Sequence, residues 1–96
     1  MDIVSDKFYL LALGNGGITP SADDLAAAPY LDGWTIDNFS LLGHRVVGVV
    51  TGHPSLDDGI INTSNPMYAN LDGGWMHTRS RLYRLGRHKD EGAVRS

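Results

Sequence analysis

His53 stands between Gly52 and Pro54, with Asp57 and Asp58 four and five residues on. An imidazole beside a carboxylate can work as a general base. No nucleophile sits at motif spacing from it, so the plainer reading is a histidine that bonds backbone and fixes a turn. Four histidines, His44, His53, His77 and His88, could gather around a metal, but their separations of nine, twenty-four and eleven residues match no paired-ligand motif. Neither a metal nor another cofactor is expected.

Hydroxyls alternate with arginines in Thr78-Arg79-Ser80-Arg81. A guanidinium offers a planar fork of donors to a phosphate or carboxylate. The competing reading is a set of cross-strand pairs with Asp57, Asp58 or Asp72. Gly14-Asn15-Gly16-Gly17 is glycine-rich, but no strand precedes it and no Gly-Lys-Ser/Thr follows, so it is read as a turn.

The richest stretch is Trp75 to Leu85 (WMHTRSRLYRL), read as the last strand. Strict alternation puts Trp75, His77, Arg79, Arg81, Tyr83 and Leu85 on one face. That face mixes rings and cations, the combination that stacks bases and contacts phosphates. Trp75, His77, Arg79, Arg81 and Tyr83, with His53, Asp57 and Asp58, are the candidate binding residues.

These side chains need elements to hold them. Ser5 to Leu13 reads as a short helix, with Phe8, Leu11 and Ala12 at i, i+3, i+4, the spacing of one helix face. Thr19-Pro20 opens a second helix, which Ala28-Pro29 ends. From Gly33 to Phe39 large apolar and polar residues alternate, and Leu41-Leu42-Gly43 connects to His44–Thr51, a valine-rich strand. Gly48 within that strand marks a bulge or a close neighbour. Asp58-Gly59 and Asp72-Gly73-Gly74 are turn signals. Gly59–Ser64 and Met67–Leu71 are the segments between those turns, split by Asn65-Pro66. The expected fold is α+β: two short N-terminal helices packed on a roughly four-stranded antiparallel sheet. Residues 1–86 are expected to form a single domain, and 87–96 a flexible charged tail.

Composition narrows the classes. The chain has 96 residues and no cysteine. It is one small domain without disulfides, which fits a reducing compartment. The first residues lack a secretory pattern, and no apolar run approaches the ~20 residues of a membrane helix. A cytoplasmic location is expected, with no membrane contact. The net charge of −3 is uneven: residues 1–72 carry nine acids and two bases (−7), and residues 73–96 carry six bases and two acids (+4). Such a split either makes an oriented field or is cancelled by pairing of the two halves.

Three stretches carry a family resemblance. They are Asp24-Leu25-Ala26-Ala27-Ala28-Pro29-Tyr30-Leu31 leading to Trp34; Gly48-Val49-Val50-Thr51-Gly52-His53-Pro54 leading to Asp58-Gly59 and Thr63-Ser64; and Gly74-Trp75-Met76-His77-Thr78-Arg79-Ser80-Arg81-Leu82-Tyr83-Arg84-Leu85-Gly86. In these the chain resembles a family of small uncharacterised proteins of bacteria and their mobile elements, grouped as a domain of unknown function. The resemblance implies a bacterial or phage origin. It supplies no activity and no catalytic residue.

Three functions compete. The first is a protein-binding module, without enzymatic activity, such as a phage or mobile-element inhibitor that binds a host protein complex in an anti-defence (anti-CRISPR-like) role. The second is nucleic-acid binding through the basic aromatic last strand, against which the overall acidity argues. The third is a small enzyme or ligand binder, which needs a pocket around His53, His77 or the arginines.

Overall fold

The computed structural model describes residues 3–40 and 43–93. Helix α1 spans Ile3–Leu13 and α2 spans Ala22–Ala27. Six strands follow: β1 (Tyr30–Ser40), β2 (Gly43–Thr51), β3 (Gly59–Asn62), β4 (Pro66–Asn70), β5 (Trp75–Thr78) and β6 (Leu82–Leu85). A short helix α3 (Lys89–Ala93) closes the described chain. The class is α+β, as expected. The finer expectation is corrected: the sheet has six strands and is mixed, and a third helix is present. The connection read at Leu41-Leu42 lies outside the described residues.

The strand order is β3-β2-β1-β6-β5-β4. Two antiparallel meanders, β1-β2-β3 and β4-β5-β6, join through the parallel pair β1/β6, where Tyr30 faces Arg84 and Leu31 faces Leu85. The outermost strands β3 and β4 are separated by Thr63-Ser64-Asn65 alone. Laid flat, six strands would put the edges about 24 Å apart. The chain from Asn62 to Pro66 reaches at most about 14 Å. The sheet is therefore curled, and residues 59–70 form one bent ribbon shared between its two ends. Hydrogen bonds show the hand-over. Thr63 N–H still donates to Val46 O (2.9 Å), while Asn65 O already accepts from Arg79 N–H (3.0 Å). The buried Thr63 hydroxyl accepts from Val46 N–H (3.2 Å) and satisfies the backbone at this corner.

The expected last strand is two strands. Thr78 ends β5 by bonding its own turn: its Oγ1 accepts from Ser80 and Arg81 N–H (3.2 Å each) and donates to Arg81 O (3.1 Å). Short hydroxyl side chains compete with ladder bonding in this way. The chain then reverses, so that Trp75 faces Arg84, Met76 faces Tyr83 and His77 faces Leu82.

Leu31, Trp34, Ile36, Val46, Val50, Ala69, Met76 and Tyr83 line the interior, with Leu10 of α1. Leu31, Trp34 and Ile36 share the inner side despite uneven spacing, because the β1/β2 register shifts between Asp32 and Thr35. Gly48 is inside for a packing reason. A Cβ there would lie 2.9 Å from Leu31 Cγ, so the leucine occupies the space a side chain would need. The sequence offered a bulge or a close neighbour at Gly48; the neighbour is Leu31.

Each helix start differs from its expectation. Helix α2 begins after Ser21, not at Pro20. Ser21 Oγ accepts from Asp24 N–H (3.0 Å) and Asp24 Oδ2 accepts from Ser21 N–H (3.1 Å), a reciprocal capping box. Helix α1 starts at Ile3, so Ser5 lies within it. Its buried residues are Asp6 and Leu10, while Phe8 is 72% and Leu11 is 61% exposed. The face marked by Phe8, Leu11 and Ala12 points to solvent.

Candidate functional site

The eight expected binding residues fall into three groups. Trp75 and Tyr83 are buried, at 4% and 5% exposure. Their rings are part of the packing and offer no open platform for a base. Arg79 is exposed in the β5–β6 turn. The alternation that would have aligned it with Trp75 and Tyr83 ends at Thr78, so the single aromatic and basic face does not form. Asp57 and Asp58 are exposed, and Asp58 Oδ1 accepts from Gly52 N–H (3.2 Å), tying the ends of the 52–58 loop together.

Of the remaining three, Arg81 acts on His53 through its charge and shares a hollow with His77, in which His53 takes no part. His53 lies with its ring 6.1 Å from that of Tyr83. Burial first, and then the Arg81 charge, hold the His53 pKa below the usual imidazole value. Burial raises the Tyr83 phenol above its ordinary range, and Arg81 partly offsets this. His53 Nδ1 accepts from Ser55 N–H (3.0 Å) and Leu56 N–H (3.1 Å), which places its proton on Nε2. The ring thus organises its own loop, and Asp57 and Asp58 make no recorded bond to it. This is turn chemistry, not a base held against a nucleophile. His77 Nδ1 lies 2.6 Å from Thr78 O and donates to it. His77 and Arg81 both line a hollow of about 430 Å³ between α2 and the β5–β6 hairpin.

A second cluster carries residues that sequence reasoning missed. His88 and Asp6 are buried, and His88 Nε2 donates to Asp6 Oδ2 at 2.6 Å. The same oxygen accepts from Thr35 Oγ1 (2.8 Å) and Ile36 N–H (3.1 Å). His88 Nδ1 accepts from Asp90 N–H (3.0 Å), so the ring proton belongs on Nε2. The Trp34 indole stands edge-on to the His88 ring at 4.9 Å and donates to Gly86 O (3.0 Å). Outside this cluster Lys7 Nζ meets Glu91 Oε2 at 3.4 Å. The segment after Gly86, expected as a loose tail, is therefore fastened to α1 and β1 through His88 and Glu91; residues 94–96 lie outside the described residues. Eighty-two positions separate Asp6 from His88, and no local pattern in the sequence links them.

The third feature is the outer stripe of α1. Val4, Phe8 and Leu11 lie at i, i+4, i+7 and are 74%, 72% and 61% exposed. That spacing forms one ridge along the helix. The sequence signal was present in Phe8 and Leu11; which way it faced was not.

Charge is distributed locally. Asp24 and Asp58 accept from neighbouring backbone N–H groups, as does Asp32 Oδ1 from Arg87 N–H (2.9 Å). Among the described residues no group of three or more His, Asp or Glu side chains is placed to hold a metal ion. Among them, too, no helix is long and apolar enough to cross a membrane.

Fold and clusters define a small α+β domain whose curled mixed sheet is flanked by short helices. The chain matches a family of unknown function (DUF6634) over residues 3–94, and it belongs to that family. No curated protein and no solved structure matches it.

Proposed function

We propose that the protein is a binding module that docks a partner protein through the outer stripe of α1. The observation that supports this is the exposure of Val4, Phe8 and Leu11 on a helix whose opposite face is already committed. An apolar ridge kept in water costs free energy unless something covers it, and contiguous patches of this kind mark interaction sites. The nearest cation on the helix, Lys7, is engaged by Glu91, so the ridge offers contact without charge. The occupant that fits is the apolar face of a partner's amphipathic helix, packed ridge against groove. The three side chains present on the order of 400 Å², against about 800 Å² per partner in a stable complex. Self-pairing through this stripe alone is too small, and a larger heterologous partner supplies the remaining area.

The setting we propose is a bacterial or mobile-element one, with the partner a host protein in the cytoplasm. The narrower role of defence inhibitor asks for a concentrated acidic face. Asp24, Asp32 and Asp58 keep their charge while accepting from backbone N–H groups, and the proposal rests on the apolar stripe.

A photo-crosslinking residue at position 8, compared with one at the exposed Asn62, tests the reading in cells that naturally carry the protein. A discrete heteromeric adduct at position 8, absent at 62 and lost on Leu11→Ser, is expected. A homodimeric adduct, or equal labelling at both positions, overturns it.

A further inference from the structure

The hollow between α2 and the β5–β6 hairpin has the makings of a second, independent site. Its volume, about 430 Å³, lies within the roughly 300–1,000 Å³ of small-molecule sites. Its apolar lining includes the partly exposed Ile18, Pro20 and Leu82. The polar lining is His77, Arg81 and Asp24. We propose that this hollow binds a small organic monocarboxylate, with its apolar body against Ile18, Pro20 and Leu82 and its carboxylate on Arg81.

Two observations carry the assignment. First, among the described residues no carboxylate pairs with the Arg81 guanidinium, although the chain as a whole is acidic. A planar donor fork without a partner, at the rim of an apolar hollow, suits a carboxylate. Second, the root of Arg81 is fixed. Its N–H donates to Thr78 Oγ1, and its carbonyl accepts from Thr78 N–H (2.9 Å) and Thr78 Oγ1 (3.1 Å). These bonds fix the backbone from which the guanidinium is presented.

Asp24 sets the charge of the ligand. It lines the same hollow, held there by the capping box, and repels an anion. A dianion such as phosphate suffers this repulsion about twice over. A single charge with an apolar body loses least to Asp24 and gains most from the walls.

Nuclear magnetic resonance titration of the full chain tests the site, with benzoate, its neutral analogue benzamide and inorganic phosphate as probes. Benzoate is expected to bind with a dissociation constant on the order of millimolar, moving the amides of residues 27–29 and 77–82. Arg81→Gln leaves the backbone bonds of the turn intact and is expected to weaken benzoate about fivefold or more. Asp24→Asn keeps a capping acceptor for Ser21 and is expected to tighten benzoate about two- to threefold. A melting curve for each variant confirms that it folds. No shift with benzoate at tens of millimolar, on the order of ten times the expected constant, overturns the proposal. So does benzamide or phosphate binding as well as benzoate, or weaker benzoate binding in Asp24→Asn.

Discussion

The two long faces of α1 are opposite in chemistry to their surroundings. The face turned inward carries Asp6, a fully buried carboxylate; the face turned outward carries Val4, Phe8 and Leu11. The inner face is held by directed bonds. Asp6 Oδ2 takes hydrogen bonds from Thr35, Ile36 and His88, which come from β1 and from the segment before α3. Oδ2 is fully used, whereas Oδ1 is buried without a hydrogen-bond partner among the described residues; the three bonds to Oδ2 favour one arrangement, because a slip leaves their donors unpaired as well. Apolar contact alone is less selective, since it is proportional to area and has no direction. The polar cluster, with Leu10, thus decides how α1 rotates on the sheet, and the apolar stripe is left for another molecule.

The largest effect should come from removing the acceptor. Asp6→Ala strands three donors and is expected to lower unfolding free energy by about 3–5 kcal/mol, read by urea denaturation. A loss below about 1 kcal/mol would place α1 under apolar control. Thr35→Val removes one donor and leaves the other two, so a loss of about 1–2 kcal/mol is expected in the same measurement. Helix α2 gives the contrast, because it is started by a local capping box and buries no residue of its own. Ser21→Ala is expected to cost about 1 kcal/mol and to leave the amide spectrum of α1 unchanged. A change spreading into α1 would mean that the two helices are not held separately.

The smallest effect is at the outer clip. The Glu91 pKa is lowered, first by the hydrogen bond from His88 N–H, against an opposing push from burial, and then by Lys7. Its contribution is therefore present above the ordinary carboxyl pKa and is lost as pH falls through the lowered folded value. Melting temperature followed from pH 6 down to about pH 3 should fall slightly less steeply in Glu91→Gln than in the native chain. Identical slopes would remove Glu91 from the fastening of α3.

The sequence was legible where the signal was local. The valine strand His44–Thr51, the stop at Ala28-Pro29 and the hairpin signal before Gly59 all correspond to observed elements. It was not legible where the deciding partner was remote. The hydroxyl of Thr78 splits an apparently continuous strand, and the curl at Thr63-Ser64-Asn65 brings consecutive segments to opposite edges of the sheet. The candidate surface depended on an unbroken strand and fails with it, although the His53 and Tyr83 rings still lie 6.1 Å apart. The Asp6–His88 bond was hidden for the same reason: neither residue signals burial without the other.

Stability of the double variant Phe8→Ser, Leu11→Ser tests the central claim most directly. If directed bonds on the inner face hold α1, urea denaturation of this variant should match the native chain within about 0.5 kcal/mol. A loss of about 3 kcal/mol or more would show that the stripe is packed in solution, and would contradict both the placement of α1 and the docking surface built on it.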